Sequence, residues 1–296
     1  MLLVIVGPTG SGKTSLAIEL ANRFNAPIIN ADAFQIYDEM NIGTAKVPKN
    51  SLDYQKHYLL DVVKPSETYS VKQYQEDFRK VYEQLRKSYN TIIVCGGTGL
   101  YIKAALYDYN FEDETHNNDV SDLEKFDNET LFNMLLEIDP EATKNIHPNN
   151  RKRVLRALQI ARTHTLKKSE AIASQEHALY YKDEVVKFYF LNPEREPLYT
   201  NINARVDAMF ANGLVDEVKN LLKKYQFSLT ARAAIGYKEV IDFLAGECDY
   251  EQCVELIKRR TRNYAKRQVT FFKHQLSCLT FNSREQLLEE VLKNGE

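Results

Sequence analysis

No apolar run in the 296-residue chain approaches the roughly 20 residues that a helix needs to cross a bilayer, which argues against a membrane-spanning helix. The opening residues, Met1 to Gly7, have no basic stretch and no small-residue cleavage site. They are expected to form a first core strand and not a signal peptide. Cysteine is scarce. Cys95, Cys248, Cys253 and Cys278 make no CxxC pair and no Cys/His cluster of zinc spacing, so buried or free thiols in a reducing cytoplasm are expected. An internal repeat and a low-complexity tract are both missing. The sequence Asn-Lys-x-Asp is absent too, which argues against guanine-specific switch proteins.

What is present is an alternation of strands and helices. Leu2 to Val6 is a continuous apolar run rich in branched residues, as in a strand buried on both faces. Residues 13–24 place Leu16, Ala17, Leu20 and Phe24 on one helical face. Strands are expected at 27–31 and 91–95, and helices at 71–86 and 100–106. This pattern predicts an α/β fold, a parallel sheet flanked by helices. Residues 108–116 are polar and acidic, and helical pattern runs on to about Tyr181 before 185–191 returns to strand composition. The expected organisation is a P-loop NTPase-like core at 1–109 and 184–296 with a helical insertion domain at 110–183.

The stretch Gly7-Pro8-Thr9-Gly10-Ser11-Gly12-Lys13-Thr14 completes the G-x-x-x-x-G-K-[ST] pattern between a predicted strand and a predicted helix. Its glycines let backbone N–H groups turn inward, and the helix N-terminus adds partial positive charge. Lys13 is expected to bridge terminal phosphates and Thr14 to ligate Mg2+ through its hydroxyl. ATP-binding proteins share this motif, but alone it specifies polyphosphate, not ATP. The strand at 92–95 runs into Gly96-Gly97 without the acid of a motor ATPase. A transferase with a pyrophosphate-bearing donor remains.

Asp32 closes the second predicted strand, at the sheet edge where ligands of open parallel sheets bind. Three readings stand: a base that activates an acceptor, a cap of the turn after the strand, or a magnesium-water contact. Thr98 is either an acceptor contact or the N-cap of the next helix. Arg205 edges an apolar face made by Val206, Met209 and Phe210, where it either reaches phosphate oxygens or pairs with Asp207. Net charge is only −2, yet the charges are segregated. The stretch 149–168 holds Arg151, Lys152, Arg153, Arg156, Arg162, Lys167 and Lys168 with no acid, and 258–273 is all basic as well. Two such stretches point to a polyanionic partner, although a basic run is often only a solvated face.

Taken in order, these residues resemble the tRNA dimethylallyltransferases (isopentenyl-tRNA transferases) of bacterial type. The resemblance runs nearly end to end. It is carried by Gly7 to Thr14, Ala31-Asp32-Ala33-Phe34-Gln35-Ile36-Tyr37, Ile42-Gly43-Thr44-Ala45-Lys46, Gly96-Gly97-Thr98-Gly99-Leu100-Tyr101, Ile235-Gly236-Tyr237-Lys238-Glu239 and Ala265-Lys266-Arg267-Gln268. It implies transfer of a dimethylallyl group from dimethylallyl diphosphate to the N6 amine of the adenosine 3′-adjacent to the anticodon. Asp32 would then be the general base, Thr98 would line the acceptor channel and Arg205 would clamp the diphosphate with the loop 7–14. The tRNA anticodon arm would meet Asp32, Ala33, Phe34, Gln35 and Thr98. Further out it would meet Lys152, Arg153, Arg156, Arg262, Lys266, Arg267 and Gln268. The chain departs from the family at Ala33-Phe34, where a polar pair is common, and at Ala233, where Gln or Arg is usual.

A cytoplasmic monomer with no membrane contact and no obligate protein partner is expected. The alternatives are a small-molecule kinase, a prenyltransferase acting on free AMP or ADP, and a non-catalytic RNA-binding protein.

Overall fold

The computed structural model of the chain describes residues 1–109, 111, 121–163 and 178–293. Part of the acidic stretch and of the helical pattern that follows it, at 112–120 and 164–177, with Lys167 and Lys168, lies outside the described residues.

The apolar run at the start becomes β1 (Leu2–Val6), buried along its whole length. Strand β1 pairs in parallel with β4 (Ile92–Gly96) on one side and β5 (Val186–Leu191) on the other. Beyond β4 lie β2 (Ile28–Asn30) and then β3 (His57–Tyr58), while β6 (Leu279–Phe281) lies outside β5. The order is β3-β2-β4-β1-β5-β6, every pairing parallel. In register, Val6 sits opposite Gly96 and Phe190, so three strands end together at one edge of the sheet. That edge is where the loops of a doubly wound sheet gather a site. Strands β1, β2, β4 and β5 fall where the sequence predicts them; β3 and β6 were not anticipated.

Helix α1 (Lys13–Arg23) covers one face through Leu16, Ala17, Leu20 and Ala21. These pack with Leu3, Ile5, Ile28 and Ile93 and with Leu287 and Val291 of α13 (Arg284–Lys293). The intervening chain carries α2 (Leu52–Gln55), α3 (Val71–Leu85) and α4 (Gly99–Leu106). Helix α3 starts with a capping box, in which the Ser70 hydroxyl accepts from Gln73 N and the Gln73 side chain accepts from Ser70 N. Its buried Tyr74 stacks on Tyr101 with ring centroids 4.0 Å apart.

The chain divides into two compact units, Met1–Leu106 with Tyr181–Glu296, and Tyr107–Tyr180. The second unit contains α5 (Asn128–Ile138), α6 (Pro140–Thr143) and α7 (Arg151–Thr163). Leu131, Leu135, Ala142, Val154, Ala157 and Leu158 make its core. An antiparallel bridge between Tyr107 and Leu179 joins its two ends.

After β5 the first unit continues through α8 (Arg195–Ala211), α9 (Leu214–Lys224), α10 (Leu229–Arg232), α11 (Tyr237–Leu244) and the long α12 (Tyr250–Gln275). Among the described residues no helix is long and apolar enough to cross a membrane.

Candidate active site

The loop between β1 and α1 has Gly10 and Gly12 at φ 82° and 86°, the left-handed region that a side chain resists. Behind it, Leu198 and Ile202 of α8 press on Gly10. Lys13 opens α1 and is buried, with its Nζ donating to the Pro8 carbonyl at 3.2 Å. Burial lowers the pKa of this ammonium, Cys95 and Asp32 push it back up, and Arg205 adds to the lowering. Burial also pushes the Cys95 thiol up to about 11, so it is a neutral wall of the site. The Ser11 hydroxyl is buried without a hydrogen-bond partner. A buried cation held by a neutral carbonyl, beside an unsatisfied hydroxyl, suits an anionic ligand.

Asp32 lies two residues beyond β2. Its backbone N–H donates to Asn30 Oδ1 at 3.1 Å, and its own Oδ1 accepts from Phe34 N at 3.0 Å. The capping reading of Asp32 therefore holds for one carboxylate oxygen. The second oxygen has no part in that turn. Thr98, after β4, is tied to the same loop, because its Oγ1 accepts from Ala33 N at 3.0 Å and its N–H donates to Ala31 O at 3.0 Å. Arg205 on α8 donates from Nη2 to the Thr44 carbonyl at 3.3 Å. Burial lowers its pKa and the Asp32 charge opposes that. The ion pair with Asp207 does not form; Lys258 takes Asp207 instead, at 2.8 Å.

Thr9, Asp32, Thr44 and Arg205 line one cleft, floored by Val206, Met209, Ile235 and Ile257 and closed by Tyr264. Its free volume is about 60 Å³. Tyr264 was missed in the sequence. Burial raises its hydroxyl to about 12, with the Asp32 charge a further cause. The spacing Ile257, Thr261, Tyr264 and Gln268, one stripe of a helix, was the available signal.

The residues expected to meet tRNA separate into groups. Phe34 lines the cleft, and Gln35 turns inward, donating to the Thr44 carbonyl at 3.1 Å. Lys266 and Arg267 are exposed, with the Arg267 guanidinium 5.6 Å from the centre of the Tyr264 ring. Arg262 is half-buried and donates to Asn203 Oδ1 at 2.6 Å. Gln268 departs from expectation: it is buried, with both ends of its amide bonded inside the protein. In the second unit Lys152, Arg153 and Arg156 are exposed, as a backbone-binding surface requires. Arg151 is structural, donating to the carbonyls of Phe126 and Glu124.

Several sequence motifs serve the scaffold. Lys46 is a buried cation donating to Asp61 Oδ1 at 2.5 Å and to the Tyr37 carbonyl at 2.6 Å. Glu217 accepts from the N–H groups of Asn41, Ile42 and Gly43, and Tyr237 OH donates to it at 2.6 Å. Magnesium fits the site in a limited sense. Among the described residues no group of three His, Cys, Asp or Glu side chains forms a cage. An ion there would rely on the Thr14 hydroxyl and on phosphate oxygens, which is how magnesium commonly binds.

These features define a P-loop NTPase-like α/β enzyme in which a carboxylate and a guanidinium face the phosphate loop. The profile of the family described as IPP transferase matches residues 35–275. A tRNA dimethylallyltransferase of Bacillus licheniformis is 41% identical over 286 residues, spanning 95% of this chain and 90% of that protein. The full-length tRNA isopentenylpyrophosphate transferase structure from Bacillus halodurans superposes with a TM-score of 0.72 at 33% identity, covering 99% of this chain and 94% of that one. A eukaryotic dimethylallyltransferase structure, described as acting on tRNA, gives 0.80 at 28% identity, covering 100% and 80%. The chain belongs to the IPP transferase family.

Proposed function

We propose that the chain transfers a dimethylallyl group from dimethylallyl diphosphate to the N6 amine of the adenosine 3′-adjacent to the anticodon in tRNA, releasing pyrophosphate. One observation carries the reading. The Asp32 carboxylate, the Arg205 guanidinium and Thr9 of the phosphate loop line a single cleft with an apolar floor.

The carbon–oxygen bond of an allylic diphosphate breaks readily once charge building on the leaving group is stabilised. Amides of the loop, Lys13 and Arg205 supply that stabilisation in a water-poor site. Magnesium, held by Thr14 and the diphosphate oxygens, would further neutralise the leaving group. Val206, Met209, Ile235 and Ile257 exclude water that would otherwise capture the allylic carbon. The adenine amine is a weak nucleophile because its lone pair is delocalised into the ring. As N6 bonds to the allylic carbon, the amine proton passes to the Asp32 carboxylate oxygen that is free of the Phe34 turn. Thr98 fixes the loop that carries Asp32. The adenosine reaches the cleft out of its stack, which is least costly in a single-stranded loop. Lys152, Arg153, Arg156, Lys266 and Arg267 supply phosphate contacts.

The test is incubation with magnesium, labelled dimethylallyl diphosphate and unmodified tRNA, beside mixtures holding AMP or labelled ATP. Label entering tRNA, and lost in Asp32→Ala and Lys13→Ala, is the expected result. Label entering only AMP overturns the acceptor, and phosphate leaving ATP without prenyl transfer overturns the reaction.

A further inference from the structure

Gln268 sits among exposed cations on α12, yet it is only 5% exposed. Its Oε1 accepts from Thr9 N at 2.9 Å, and its Nε2 donates to the Gly97 carbonyl at 2.8 Å. The two partners fix which end of the amide is which, because one is a donor and the other an acceptor.

What each partner does gives the contact its meaning. The Pro8–Thr9 peptide is held at both ends, its N–H by Gln268 and its carbonyl by the Lys13 ammonium. Gln268 thereby sets the plane of the peptide on which Lys13 rests. On the other side, Gly97 leads into Thr98, whose N–H and Oγ1 bond Ala31 and Ala33, the two residues that flank Asp32. An unbroken path of hydrogen bonds runs from Lys13 through Gln268 to the loop that carries Asp32. Tyr264 lines the cleft one helical turn before Gln268 on the same helix. The approach is close enough that a Cβ on Gly97 would lie 2.2 Å from Gln268 Nε2.

We propose that Gln268 is a positioning residue that sets the distance between the leaving-group site and the Asp32 carboxylate. This rests on the function proposed above. A neutral amide is the side chain that answers both partners at once. A carboxylate would repel the Gly97 carbonyl, a lysine has nothing to offer the Thr9 N–H, and a methionine satisfies neither group.

Three variants test it: Gln268→Met, Gln268→Glu and Gly97→Ala. Gln268→Met keeps length and bulk without the polar ends. Its kcat is expected to fall about 100-fold, the scale of a misplacement of about 1 Å, with tRNA affinity unchanged. Gly97→Ala is expected to lose activity in the same way, by displacing the amide.

Gln268→Glu carries its own control. The protonated acid has one O–H donor and one acceptor in the shape of the amide, and burial beside a carbonyl raises the pH at which it forms. The ratio of its kcat to wild type is expected to rise about tenfold or more from pH 8 to pH 6. Asp32, Lys13, Tyr264 and Arg267 face this region in both proteins, and comparison with wild type at each pH sets aside what they contribute alike. A side chain that merely packs α12 against the sheet would lower the melting temperature and leave that ratio flat.

Wild-type kcat in Gln268→Met, or a pH-independent ratio in Gln268→Glu, overturns the proposal. Failure of wild type to transfer prenyl groups would instead count against the proposed function. In that event calorimetric titration with pyrophosphate decides the matter for Gln268: binding about tenfold weaker in Gln268→Met supports it, and equal binding overturns it.

Discussion

Replacing Glu217 by Ala tests how the scaffold reaches the site. Glu217 accepts from Asn41 N at 3.1 Å, Ile42 N at 2.8 Å and Gly43 N at 3.3 Å, and from Tyr237 OH at 2.6 Å. The turn it holds delivers the Thr44 carbonyl, to which Arg205 donates at 3.3 Å. Hydrogen bonds to a charged group contribute about 1.5–3 kcal/mol each, and full loss of four would be severe. The carboxylate is half-buried, so water replaces part of what is removed. A loss of about 3 kcal/mol is expected after that discount. At about 2–4 °C per kcal/mol for a unit of this size, the melting temperature should fall by about 6–12 °C. Gln in place of Glu keeps one acceptor and should fall by about half as much. Below the transition, the KM for the diphosphate donor should rise through a loosened Arg205, while tRNA affinity stays constant. Thermal melts and steady-state kinetics on the same preparation decide the case. A melt within about 1 °C of wild type would refute the energetic argument. A lowered melt with an unchanged donor KM would refute the link to Arg205.

Asp61→Asn should cost about 3–5 kcal/mol in urea unfolding because it strands the buried Lys46 ammonium, and Lys46→Met with Asp61→Leu should recover much of that. Asp38 provides a pH test. Burial tends to raise its carboxyl pKa, but hydrogen bonds from Lys49 and Lys64 prevail and bring it from 3.8 down to about 2. A lowered folded value means that its contribution is present above the ordinary pKa and lost as pH falls from about 4 toward 2. Lys49→Met with Lys64→Met should therefore move the acid-unfolding midpoint to higher pH, and an unmoved midpoint would contradict this. In the second unit, Arg151→Ala removes donors to Phe126 O at 2.8 Å and Glu124 O at 2.7 Å. Amide exchange across α5 and α7 should speed up about 10-fold or more, with no change in the sheet.

The sequence by itself determined what depends on neighbours along the chain. The glycines of Gly7 to Thr14 set a local backbone, so the loop was legible from its spacing. The fully apolar β1 needed both faces covered whatever covered them, which sufficed for a parallel sheet. Capping boxes such as Ser70 with Gln73 close within one turn of helix. Family resemblance added the roles of Asp32, Thr98 and Arg205, which local pattern left open between chemistry and capping.

Tertiary structure decided the rest. Strands β3 and β6 are short and incompletely buried, so neither carries the buried apolar run that marks β2, and each exists because a neighbour offers a free edge. Lys266, Arg267 and Gln268 are consecutive polar residues in the sequence. A helix turns about 100° per residue, so two face water while the third enters the core. Lys46, read as one letter of a family motif, becomes a buried ion pair only when Asp61 is folded against it. Glu217 finds its turn 174 or more residues away, and Gln268 meets Thr9 across 259. A hydrogen bond depends on distance in space, and separations of that length leave no periodicity in the sequence to read.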